Sequence, residues 1–137
     1  MTPMTVREIL ETVRTIAVVG ARDKHEKAGF YVGEYLVGAG YEVTPVSPRL
    51  AGTRLWGRSV VASLKDVDAP IDLVNIFRRG PDVPQHLDEI LAMEPLPKVV
   101  WLQLGIRNDA VASALEARGV QVVQNRCTLA DHRRLGL

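Results

Sequence analysis

The chain has one cysteine, Cys127, in 137 residues. No internal disulfide can form, which suits a cytoplasmic protein. No apolar stretch approaches the roughly 20 residues needed to cross a bilayer, so no membrane partner is expected. The opening residues, Met1-Thr2-Pro3-Met4, lack the apolar core of a secretory signal. Formal net charge is only +1, so there is no overall pull toward nucleic acid, and any anion site must come from local clustering. Cysteine and histidine show no metal-ligand spacing. There is no internal repeat, low-complexity tract or linker.

Hydrophobic residues make up 47% of the chain and charged residues 24%, the balance of a packed globular domain. One domain over residues 1–137 is expected. Thr5-Val6-Arg7-Glu8 has capping-box spacing, and Val6, Ile9, Leu10 and Val13 recur at helical intervals, so residues 5–14 are predicted as a helix. Short apolar runs at 16–19, 42–46, 71–77, 99–102 and 120–123 are predicted as strands. Helices are predicted over 28–39, from Asp82 through Leu91, and from Asn108 to about Arg118, with residues 49–62 as a connection. Strands that are apolar on both faces and alternate with helices indicate a parallel sheet covered on each side. Right-handed crossovers make this a doubly wound fold, with its ligand site beyond the carboxyl ends of the strands.

The first such end is the most informative segment, Ile16-Ala17-Val18-Val19-Gly20-Ala21-Arg22-Asp23. A glycine after an apolar strand lets the backbone turn and lets a ligand approach closely. A helix that follows favours an anion at its start. The G-x-G-x-x-G dinucleotide fingerprint is missing, because position 22 is Arg and position 25 is His. The second strand ends in Ser47-Pro48-Arg49 without the acid that binds a ribose hydroxyl. These features argue against NAD; Arg49 leaves an NADP-binding enzyme or redox sensor as an alternative. Arg22, Lys24, Lys27, Arg49, Arg78 and Arg79 all fall at the predicted ligand edge, and their forks and ammoniums match phosphate oxygens. A ligand with several phosphates accounts for that cluster.

The chain resembles the small stand-alone CoA-binding proteins, which are similar to the CoA-binding Rossmann domain of the succinyl-CoA synthetase α subunit. The matching segments are residues 16–21, Tyr41 to Pro48, Ile76-Phe77-Arg78, Val100-Trp101-Leu102-Gln103-Leu104-Gly105-Ile106-Arg107 and Asn125-Arg126-Cys127. The resemblance implies a Rossmann-like three-layer α/β/α domain with a five-stranded parallel sheet in the order 3-2-1-4-5. It implies coenzyme A or an acyl-CoA as the ligand. Gly20 and Ala21 would form the turn under the pyrophosphate, with backbone N–H groups near Gly20–Arg22 holding it; the charged turn Arg22-Asp23-Lys24 and Lys27 are site candidates by their place at the ligand edge. Ser47, Pro48 and Arg49 would border the adenosine and its 3′-phosphate. Phe77 and Arg78 would line the next wall, and Gln103, Leu104 and Gly105 the floor near the pantetheine path; Arg79 is a site candidate through the basic cluster alone. The family usually has a small hydroxyl residue where this chain has Arg22. A charge-assisted hydrogen bond replaces the lost one, or Arg22 folds over the site and blocks it.

No histidine has a recognisable catalytic setting. His25 is expected as a solvated loop residue, His86 at the surface, and His132 in a solvated charged tail with Asp131, Arg133 and Arg134. Cys127 has the neighbouring cation that lowers a thiol pKa but no His/Asp partner at a diagnostic position. It is a candidate for a disulfide with the CoA thiol. Asp23 and Glu26 share a loop without the converging partners of an acid–base pair. Trp101 is expected in the core or site wall, and Trp56 over a helix or partner chain. The expected function is binding of CoA or acyl-CoA without catalysis, with the thiol or acyl end pointing outward toward a protein partner or solvent. An interaction module with a degenerate nucleotide site is the other alternative.

Overall fold

Thr5 opens the first helix, α1 (Val6–Thr12), with both halves of a capping box: its hydroxyl accepts from the Glu8 N–H, and the Glu8 carboxylate accepts from the Thr5 N–H. The helix is shorter than the sequence predicts, since Val13 is already extended. The computed structural model describes residues 2–137; Met1 lies outside them. The elements that follow are β1 (Thr15–Val19), α2 (Ala28–Gly38), β2 (Glu42–Val46), β3 (Arg54–Leu55), β4 (Arg58–Ser59), β5 (Leu73–Ile76), α3 (Leu87–Leu91), β6 (Val99–Leu102), α4 (Asp109–Glu116), β7 (Gln121–Val123) and α5 (Thr128–Leu135). Two 3₁₀ turns, Leu64–Asp66 and Gly80–His86, complete the chain.

The five long strands form one parallel sheet in the order β2-β1-β5-β6-β7. The α/β Rossmann-like fold is as expected, but the order 3-2-1-4-5 is corrected. The third long strand, β5, lies inside against β1, and β2 takes the edge. Pro45 gives the reason. It sits within β2 and has no N–H, so it cannot serve a ladder on both sides. Beyond β2 the chain adds a bridge between Val46 and Val61, in which Pro45 contributes only its carbonyl, to the Val61 N–H.

Successive side chains of β1 point to opposite faces. Ile16 and Val18 pack with Ile9, Leu10, Phe30, Val32 and Leu36, on the side of α1, α2 and α5. Ala17 and Val19 pack with Ile90, Val111 and Leu115, on the side of α3 and α4. Three connections differ from expectation. Residues 49–62 contain the antiparallel pair β3–β4, joined by Trp56 and Gly57 at φ 52° and 77°, the two-residue hairpin geometry with both central residues at positive φ. The first half of the stretch from Asp82 to Leu91 is 3₁₀, with Pro84 inside it, where the missing N–H disfavours an α-helix, and the second half is α3. The tail is the helix α5, ended by Gly136 in the left-handed region, with Asp131 and His132 buried. No helix among the described residues is long and apolar enough to cross a membrane.

Candidate functional site

Parallel pairing aligns Val46, Val19, Ile76 and Leu102 across four adjacent strands. The residues that follow them, Ser47, Gly20, Phe77 and Gln103, therefore form one row at the carboxyl edge. The chain runs outward from β1 to β2 and then returns to β5 on the other side of β1. The reversal of strand order lies between β1 and β5, where doubly wound sheets open a crevice. Gly20 makes that crevice possible. Its φ is 87°, and a Cβ there would lie 2.6 Å from the Phe77 carbonyl oxygen.

Two clefts open along this row. The larger, about 760 Å³, is lined by residues 19–22, 46–49, 62–63 and 77–79 and by Asp82, Gln85, His86 and Glu89. The smaller, about 340 Å³, is lined by Lys27 to Gly29, Gly80 and residues 103–106. Gly20, Arg22, Phe77, Arg78 and Arg79 line both. Of the residues expected at the site, Gly20, Ala21, Arg22, Ser47, Pro48, Arg49, Phe77, Arg78 and Arg79 come together in the larger cleft. Lys27, Gln103, Leu104 and Gly105 lie along the smaller one. Asp23 and Lys24 line neither; both are exposed.

The expected use of backbone donors needs correction. The N–H groups of Gly20 and Ala21 both donate to the Val46 carbonyl, at 3.0 and 3.2 Å, and that of Arg22 donates to the Gly29 carbonyl at 3.1 Å. They are engaged inside the protein, tying the loop to β2 through Gly20 and Ala21 and to α2 through Arg22. Among the described residues nothing accepts from the N–H groups of Ala28 and Gly29, in the first turn of α2. Such free donors favour an anion.

The cations at the site are unequal. Arg79 pairs with Asp82 at 3.2 Å, and its side chain is 83% exposed. Arg22, Arg49 and Arg78 make no ion pair among the described residues. The Arg22 Nε is buried and without a partner. Arg22 stands on the wall of the larger cleft and leaves it open.

The far wall of that cleft was not expected from sequence. His86, predicted at the surface, has a side chain only 13% exposed, and its Nδ1 lies 2.7 Å from Glu89 Oε1. The Ser63 hydroxyl donates to the other Glu89 oxygen. Burial alone would raise the Glu89 carboxyl. The hydrogen bonds from His86 and Ser63, the charge of His86 and the Leu64 N–H outweigh it, and the pKa falls below the ordinary carboxylate value. The spacing of His86 and Glu89 places them on one helical face and was legible. Ser63 arrives through the Val46–Val61 bridge, which nothing in the sequence signals.

Behind the smaller cleft, Asn75 lies fully buried in β5. Its amide donates to the Trp101 carbonyl at 3.3 Å and to Gln103 Oε1 at 3.2 Å, and its own oxygen accepts from the Thr128 hydroxyl at 2.9 Å. Trp101 belongs to the core, and its Nε1–H donates to the Arg126 carbonyl at 2.8 Å. Trp56 covers α2: a Cβ at Gly33 would meet its ring at 2.3 Å. His25 is exposed as expected, stacked on Phe30 with ring centroids 4.1 Å apart. Cys127 lines neither cleft; it caps α5, its sulfur 3.4 Å from the Ala130 nitrogen.

Residues 14–133 match the sequence profile of the CoA binding domain family. The chain belongs to that family. It is 35% identical to the Bacillus subtilis protein YneT over 127 residues, 93% of this chain and 91% of that one. A Thermus thermophilus protein of known structure is 41% identical, with a TM-score of 0.91 over 96% of this chain and 99% of the other. A Pyrococcus horikoshii protein is 31% identical, with a TM-score of 0.88 over 96% and 90% of the two chains. Arg22, Arg49 and Arg78, from the segments after β1, β2 and β5, line the larger cleft without ion-pair partners among the described residues. Gly20 keeps the space beside Phe77 free of a side chain.

Proposed function

We propose that the protein binds coenzyme A, free or acylated, across the two clefts and catalyses no reaction of its own. The observation that carries this reading is the set of three arginines, Arg22, Arg49 and Arg78, that line one cleft without ion-pair partners among the described residues. Unpaired guanidinium groups on a concave wall match a ligand with several phosphates. A cleft of about 760 Å³ falls in the range of small-molecule sites. Val46, Pro48, Ala62 and Phe77 supply its apolar surface, which suits the adenine. Ala28 and Gly29, with Lys27 beside them, offer N–H groups and charge to the pyrophosphate. The pantetheine arm then follows the smaller cleft past Gln103 and Leu104. Leu104 is 66% exposed, so the thiol or acyl end emerges toward solvent or a protein partner. The lone, half-buried Cys127 accords with a cytoplasmic setting.

Isothermal titration with CoA at low salt tests the reading. Arg78→Glu is expected to weaken binding at least tenfold, by placing a carboxylate where phosphate charge must be met. An unchanged Kd removes Arg78 from the site. Stabilisation of the protein by NADPH and not by CoA overturns the coenzyme assignment in favour of a dinucleotide.

A further inference from the structure

Every hydrogen-bonding group of Gln103 but one is spent inside the protein. Its N–H donates to the Ile76 carbonyl at 3.2 Å, and its carbonyl accepts from the Ile106 N–H at 2.9 Å. Its side-chain Oε1 accepts from Asn75 Nδ2 at 3.2 Å. The orientation of this amide is fixed by a backbone group. Asn75 faces the Trp101 carbonyl at 3.3 Å, and a carbonyl only accepts, so the Asn75 group there is its NH2. The same NH2 meets Gln103, which therefore presents its oxygen. The Thr128 hydroxyl donates to the remaining Asn75 oxygen at 2.9 Å and closes the chain. No titratable group takes part, so pH does not reverse the arrangement. The group left over is Gln103 Nε2, with its two N–H donors.

That nitrogen makes no hydrogen bond among the described residues, yet it is not sealed in, as the unpartnered nitrogens of Arg22, Trp56 and His86 are. Gln103 is only 4% exposed and lines the smaller cleft, so the accessible part of its amide opens there. The other polar side chains of that cleft, Arg22, Lys27, Arg78 and Arg79, can only donate, and among the described residues no carboxylate or hydroxyl lines it. The cations suit phosphate. A neutral donor held in one orientation suits a neutral acceptor.

We propose that Gln103 recognises the neutral arm of the ligand: its Nε2 donates to a carbonyl oxygen, either of a pantetheine amide or of the acyl group that the arm carries. This deepens the coenzyme reading above and rests on it. Asn75 and Thr128 hold the amide in place before the ligand arrives, so little rotamer freedom is lost on binding. Sites built to bond a particular ligand group discriminate more strongly than apolar pockets do.

The experiment measures the Kd of CoA, acetyl-CoA and adenosine 3′,5′-bisphosphate by calorimetry. The last keeps the base and phosphates but has no arm. Gln103→Met removes the donor, and Asn75 keeps its bonds to the Trp101 carbonyl and Thr128. This variant is expected to lose about fivefold or more in affinity for an arm-bearing ligand and to bind the bisphosphate within twofold of the unaltered protein. Loss for both CoA and acetyl-CoA places the carbonyl in the pantetheine; loss for acetyl-CoA alone places it in the acyl group. Gln103→Glu puts an acceptor where the donor was and is expected to lose at least as much. Circular dichroism confirms the fold, and if one variant fails to fold the other decides by the same criteria. Unchanged affinity for both CoA and acetyl-CoA overturns the inference and leaves the coenzyme reading standing. Equal loss for all three ligands also overturns it, since the bisphosphate cannot reach Gln103 through an arm. Absence of CoA binding by the unaltered protein overturns the coenzyme reading and this inference together.

Discussion

A single methyl group at position 20 tests how the site is built. Gly20 holds a φ of 87°, and an added Cβ would lie 2.6 Å from the backbone oxygen of Phe77. Backbone cannot yield as a flexible side chain can. Gly20→Ala therefore combines left-handed strain with separation of the loops after β1 and β5. A loss of about 2 kcal/mol is expected in urea unfolding, together with weaker CoA binding. A variant with unchanged stability and affinity would show that the crevice does not depend on this close approach. The role of Gly20 was readable from sequence because a glycine closing an apolar strand has few other uses. The spending of its N–H on Val46 was not, since that partner comes from a strand 26 residues away.

The helix α5 is held by polar contacts, which is why hydrophobic periodicity overlooked it. Its buried face carries Thr128, Asp131 and His132, and the anchor on the sheet is Asn75, in a strand otherwise read only as apolar. Asn75→Leu leaves the Thr128 hydroxyl and the Gln103 oxygen without this partner in a buried setting. A loss of about 3 kcal/mol is expected from chemical denaturation. Adding Thr128→Val should recover part of it, because removing both partners is less costly than orphaning one. The same helix makes stability depend on pH. Burial pushes the His132 ring below its ordinary pKa, and its Nδ1 sits 2.8 Å from the Tyr35 hydroxyl. The unfolded chain then binds the proton more readily than the folded one, so stability is full above the ordinary histidine value of about 6.5 and falls as pH drops below it. Denaturation midpoints measured from pH 7.5 down to 5 should show this slope, and His132→Gln should flatten it.

The whole molecule is a sheet whose carboxyl edge gathers loops from distant parts of the chain, and the legible part of that plan was its periodicity. Apolar strands alternating with helices gave the layers, and the basic residues after β1, β2 and β5 gave most of one cleft wall. The strand order was misread although Pro45 carried the information, since a strand with a missing N–H belongs at an edge. The His86 wall was missed because Ser63 reaches Glu89 only through the Val46–Val61 bridge, a long-range pairing that no local spacing signals. Ligand binding tests this arrangement as a unit. A ligand across both clefts touches segments after β1, β2, β5 and β6, and each must keep its place for the site to exist. Binding only the folded state at 100 times Kd adds about 2.7 kcal/mol. Domains somewhat larger than this one shift by roughly 2–4 °C per kcal/mol, so CoA should raise the melting temperature by on the order of 8 °C. Hydrogen exchange should slow at residues 20–29, 47–49, 77–86 and 103–106 together. If CoA slows exchange at only one of these segments, the clefts do not act as a single site and the spanning pose is wrong.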